Sequence, residues 1–353
     1  MVMVCETKLK KPLGRILERF CPQQVLRELL PEVPGTLRDS DVPELFREPF
    51  ICSGYRPVGR AWKYYALSLF LCHNEALNVW THLLAILVLL ARFCAFLCTA
   101  VPLPVLYGLP LHCFMVACLI YLSCSVLAHL FQSKSELAHY SFYFLDYVGV
   151  GAYQYGSALA HYYYCAELDW LRVMRPFFLP AAALLGWLSC LGCCLSKMHF
   201  KRPYPTRRKL CQLVPACLAY MLDISPVVHR LAGCWAAGCA DPAAVYHGLQ
   251  IALFLVASAF FSCPVPERYF PGSCDIVGHA HQIFHTFLAL CTLAQMEAVL
   301  LDYWGRRDVF AVRGDHDSIY AACGLFALLL LGCGCSVLYL RHVLQQRLRK
   351  RSE

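Results

Sequence analysis

The feature that most limits what this chain can fold into is the spacing of its charges. Eight stretches, 76–98, 108–132, 140–163, 176–196, 211–229, 243–263, 277–300 and 319–340, hold only Arg92, Asp146, Asp223 and Glu297 as acidic or basic residues. At a helical rise of about 1.5 Å per residue, roughly 20 apolar residues cross the hydrocarbon core of a bilayer. Charged residues are 15% of the chain, against roughly 25% in a soluble domain, so a division into soluble domains does not apply. The expected fold class is an all-α membrane protein, one polytopic bundle over residues 76–340.

Lysine and arginine set the expected orientation, because cytoplasmic loops retain them. With the N-terminus inside, the inner segments carry 24 of the 31 Lys and Arg residues and the outer loops 6. The basic tail, 341–353, then falls inside only if the number of spans is even, which favours eight over seven. The first twenty residues contain no apolar run of the kind a cleavable signal peptide needs, so the first span is expected to act as its own insertion signal. Residues 1–75 are expected to be a cytoplasmic region. Within it, 12–30 set Leu13, Ile16, Leu17 and Phe20 at helical spacing against Arg15 and Arg19. That pattern suits a helix lying on an anionic leaflet, or equally one packed on the bundle. These inner clusters account for the net charge of +8, and no nucleic acid is expected as a partner.

The 23 cysteines lie mostly inside the apolar runs, where thiols behave as small hydrophobes. Only Cys234 and Cys239, in a short polar connection, are expected to form an exposed disulfide. Neither Asn74 nor Asn78 begins a glycosylation sequon.

Ionisable groups at membrane depth are costly, and each is a functional hypothesis. Span two ends with Ser125 and His129, span three carries Asp146, and span seven opens with His279, His281 and His285. The directions of the spans bring His129, Asp146, His281 and His285 to similar depth in the inner half. His281 and His285, at i and i+4, share a helical face and can share a metal. His129 would complete a three-histidine zinc site with an open fourth position. Asp146 would then bind the water or orient a histidine, supported by Ser125. A lone HxxxH is most simply a pair of histidines satisfied by interhelical hydrogen bonds, but three histidines and an aspartate at one depth favour the metal. Gln282 follows His281, which disfavours the HExxH protease pattern. Glu75, Asn78 and His82 read as ties between helix ends. Arg92 is expected to neutralise Asp223 or Glu297 across a helix interface.

The blocks EALNVWTHL at 75–83, Ser125 to Asp146 with its LDYVGV continuation, and FPGSCDIVGHAHQIFH at 270–285 resemble the progestin and adipoQ receptors. FREPFICSGYRP, YQYGSALAH and LDISPVVHR look like the membrane progestin receptor branch. The resemblance implies a seven-helix adiponectin-receptor-like bundle, here with an eighth transmembrane helix, and a cytoplasmic N-terminus. It implies Zn2+ held by His129, His281 and His285, with Asp146 and Ser125 beside it. It also implies a plasma-membrane receptor that binds progesterone-like steroids, signals through inhibitory G protein and promotes oocyte maturation.

An apolar steroid can enter between helices from the lipid, its ketones needing donors, for which Gln212 and Gln154 are the expected residues. The basic loop 197–209 offers a surface for a protein partner or membrane lipid. The alternative is an enzyme, a zinc-dependent intramembrane hydrolase of a lipid amide such as ceramide, with Asp146 accepting a proton.

Overall fold

The computed structural model describes residues 35–99, 105–200, 205–313 and 316–353. The helix expected over 12–30 lies outside these residues.

Eight long helices follow the order of the eight low-charge stretches: α2 (Ala76–Thr99), α3 (Val105–Phe131), α4 (Glu136–Ala160), α6 (Phe178–His199), α7 (Thr206–Ala237), α8 (Ala244–Ser262), α9 (Ala280–Gly305) and α11 (His316–Ser352). Three short helices, α1 (Trp62–Leu67), α5 (Leu168–Met174) and α10 (Arg307–Arg313), lie in the connections. Among the described residues seven helices are long and apolar enough to span a membrane, α4 being the exception.

Packing explains the exception. The seven apolar helices form a ring in which α2 touches α3, α3 touches α11, and the contacts continue through α6, α7, α8 and α9 back to α2. Helix α4 stands inside it, against α3, α6, α7 and α11. A helix surrounded by protein has no lipid to satisfy, so it can carry Asp146, Gln154, Ser157 and a run of tyrosines. Small residues let its neighbours approach. A side-chain carbon at Gly151 would stand 2.7 Å from the Gly186 carbonyl oxygen, and one at Gly149 would stand 2.7 Å from Tyr121 Cα. The ring helices keep apolar side chains on their outer surface, among them Leu84, Leu87 and Val88 on α2 and Leu328, Leu331 and Leu338 on α11.

The tail is part of α11, and its Arg351 lies 3.4 Å from Glu136 at the start of α4. Residues 35–75 gather at the same end of the bundle, here called the near end. Leu37 pairs with Tyr55 around a small core of Val42, Ile51 and Tyr55. The Asp275 carboxylate, ahead of α9, accepts hydrogen bonds from Cys52 N (3.0 Å) and Ser53 Oγ (2.7 Å). Arg56 is buried and donates to the carbonyl oxygens of His129 and Leu130, both at 2.6 Å, capping the C-terminus of α3. Cys118, Cys190, Cys194 and Cys333 are core residues, and a disulfide joins Cys234 in the last turn of α7 to Cys239 just after it.

Candidate metal centre

At the near end, α3 and α9 bring His129, His281 and His285 together, with one nitrogen from each lying within 4.8 Å of the others. His129 and His285 are buried, and His281 is half-buried. His129 Nε2 and His281 Nε2 stand 3.4 Å apart. Two nitrogens about 2.0–2.1 Å from a tetrahedral zinc are separated by ~3.3 Å, so this pair fits such an ion. The His129 Nδ1–H donates to Glu75 Oε2 at 2.6 Å, and the His285 Nδ1–H donates to the Asn78 carbonyl at 3.2 Å. Both rings are thereby held in the tautomer that turns a free Nε2 away from its anchor.

Ser125, one turn before His129, hydrogen-bonds to the Asp146 carboxylate across the α3–α4 interface. Asp146 also interacts electrostatically with His129 and Lys197. The expected quartet and its serine are thus in one place.

Sequence reasoning read Glu75, Asn78 and His82 as helix ties, and the structure puts all three at the centre. Asn78 donates to Glu75 Oε2 at 2.6 Å, and His82 stacks on His285. Their i, i+3, i+7 spacing beside a family of inner-face histidines was the available signal. Burial alone pushes the Glu75 carboxyl up, but the neighbouring His129 imidazole and Asn78 amide hold it well below the ordinary carboxylate range. Gln282 receives the Gly278 N–H at 2.6 Å and donates to the Asn74 and Ile276 carbonyls, so it shapes the start of α9. His279 is bonded to the Asn74 carbonyl at 3.0 Å and stands apart from the three-histidine cluster.

A second group, Cys165, His247 and Asp302, also has metal-ligand proximity. There the positive charge is already supplied by protein, since Arg230 lies 2.6 Å from Asp302 Oδ1, 3.6 Å from Cys165 Sγ and 2.6 Å from Asp241. Asp223, expected as a partner of Arg92, instead accepts from Ser157 at 2.6 Å and His161 at 2.8 Å. Arg92 pairs with Glu297, the other residue expected for it, at 2.6 and 2.9 Å.

The structure does not bring Gln212 and Gln154 together. Ser157 and Asp223 fix the register of α4 against α7, and from that contact Gln154 and Gln212 differ by eight residues in depth, ~12 Å of helix.

Haemolysin-III related proteins match residues 70–296, a stretch that contains Glu75 and all three histidines. This chain belongs to that family. It is 57% identical to membrane progestin receptor beta of Mus musculus over 339 residues, 96% of this chain and 95% of the relative. It is 56% identical to the Homo sapiens beta protein over the same shares. Membrane progestin receptor alpha of Homo sapiens is 50% identical, covering 92% of this chain and 94% of the relative. The chain is therefore a multi-pass membrane protein of a receptor-bearing family, and the resemblance seen in its motifs extends over nearly its whole length.

Proposed function

We propose that the chain is a plasma-membrane receptor for progesterone-like steroids, with its N-terminus in the cytosol, acting through inhibitory G protein and contributing to oocyte maturation. The observation that carries this is identity above half, over nearly the full length, to proteins named membrane progestin receptors. Two buried atoms between α4 and α7 support it. Gln154 Oε1 on α4 and Tyr220 OH on α7 are buried without hydrogen-bond partners. Each lies three residues before the Ser157–Asp223 contact, so they share a level. A buried unsatisfied pair at one depth suits a lipophilic ligand with a polar oxygen. Saturable binding of labelled progestin to membranes containing the chain tests the reading, and binding no greater than in control membranes overturns it.

The geometry of the near end favours a second reading, a zinc-dependent hydrolase of a lipid amide. Bound zinc would supply a water of lowered pKa and polarise a carbonyl. His129, His281 and His285 would hold it. Asp146 would accept the proton released on attack and return it to the departing amine, with the Ser125 hydroxyl fixing the carboxylate. Ceramide turnover by purified protein tests this reading, and turnover unchanged in His281→Ala/His285→Ala refutes it.

A further inference from the structure

Glu75 is a buried acid at the near end, 5% exposed, and neither reading above uses it. Its Oε2 is shared by the His129 ring at 2.6 Å and the Asn78 amide at 2.6 Å, while Oε1 lies 3.4 Å from Gln132 Nε2. Gln132 is itself fixed, its Oε1 receiving the His139 ring at 2.7 Å. The carboxylate is therefore clamped by side chains from α2, the end of α3 and, through Gln132, α4.

His129 is held at both of its ends. Glu75 grips the ring through Nδ1, and Arg56 grips the backbone through the carbonyl oxygen at 2.6 Å. A carboxylate can only accept, so Nδ1 of His129 must carry a proton, and a metal would take Nε2, the nitrogen that faces His281. Asn78 Nδ2 lies farther from the ring, at 3.5 Å, and as a donor it cannot compete for that proton.

Charge points the same way. Three imidazoles acting as metal ligands would be neutral, while Glu75 is a buried carboxylate and Asp146, half-buried, interacts with His129 and Lys197. Burying such anions without compensation is costly, and a divalent cation between the imidazoles offsets both. Arg56 also interacts electrostatically with Glu75, but its guanidinium N–H groups are directed to the His129 and Leu130 carbonyls and to Ser68 Oγ.

We infer that Glu75 is a positioning residue of the metal centre: through the Nδ1–H of His129 it fixes the tautomer and raises the basicity of that ligand. This rests on the metal-centre reading above. Loss of such a carboxylate partner typically weakens metal binding roughly 10–100-fold.

The test is a competition titration of zinc ion alone against a chromophoric chelator, on purified full-length protein. Cobalt absorption spectra of the same samples report ligand geometry, which a purely structural role would leave unmoved. Glu75→Gln still accepts the Nδ1–H but carries no charge. It is expected to bind zinc roughly 10–100-fold more weakly and to shift the cobalt bands, with the zinc-free protein eluting and unfolding as wild type does. Glu75→Asp keeps the charge one methylene farther away and is expected to recover part of the loss.

Affinity within about twofold of wild type in Glu75→Gln overturns the assignment while leaving the three-histidine site standing. If Glu75→Gln does not fold, Glu75→Asp decides, and the same twofold criterion applied to it overturns the assignment. Wild-type protein that holds no zinc, like His281→Ala/His285→Ala, overturns the centre and Glu75's role together.

Discussion

The ring of His82 lies flat against that of His285, centroids 4.1 Å apart and planes 15° from parallel. One face of a candidate ligand is thus supported by an imidazole from the first turns of α2, and Tyr121 closes against the edge of His82 at 5.7 Å. His82→Ala removes that support and leaves a void in a well-packed site, with an expected cost of about 2–4 kcal/mol. His82→Phe keeps a flat ring and is expected to retain most of the stability. Thermal unfolding of the two variants in zinc-free buffer checks the ordering.

His281→Ala/His285→Ala is expected to abolish stoichiometric zinc, measured by elemental analysis of purified protein. Progestin binding is expected to persist, because Gln154 and Tyr220 lie farther along α4 and α7 than Asp146. Zinc retained at one equivalent refutes the ligand assignment.

Arg230→Ala is expected to be among the most damaging substitutions at the far end. It leaves Asp302 and Asp241 facing each other without the guanidinium that joins them at 2.6 Å to each. Breaking a buried pair from one side costs about 3–5 kcal/mol. His247→Ala, in the same network, is expected to leave zinc stoichiometry unchanged, since Arg230 and not a metal supplies the positive charge there.

The Arg92–Glu297 pair joins α2 and α9 on a surface that faces the ring exterior, with side chains 45% and 27% exposed. In lipid neither charge has water to fall back on. Either single substitution to alanine is expected to destabilise the protein, and the exchange Arg92→Glu/Glu297→Arg to recover much of the loss. A double-mutant cycle on unfolding temperature measures the coupling, expected at about 1–3 kcal/mol.

Much of this was legible in the sequence because lipid imposes a single rule on long segments. Runs without charge mark helices, and the few polar residues inside them stand out, so His129, Asp146, His281 and His285 could be grouped by depth alone. What could not be read is lateral order around the bundle. Apolar residues face lipid and protein alike, so periodicity did not reveal that α4 stands in the middle. Lateral order also decided that Arg92 meets Glu297 while Asp223 turns to Ser157 and His161. Glu75 is expected at a helix end as a tie, and its bonds to His129 and Gln132 make it one. Its bond to His129 depends on how α2 leans toward α3, which no local pattern encodes.

Arg56 ties the chain ahead of the first long helix to the very residue whose imidazole enters the centre. A bundle trimmed to begin at Ala76 is therefore not a smaller version of this protein: it lacks Glu75 and Arg56, and the last turn of α3 loses the donors that stop it fraying. Keeping the centre intact requires keeping the chain from Leu37 onward, where the pairing with Tyr55 begins.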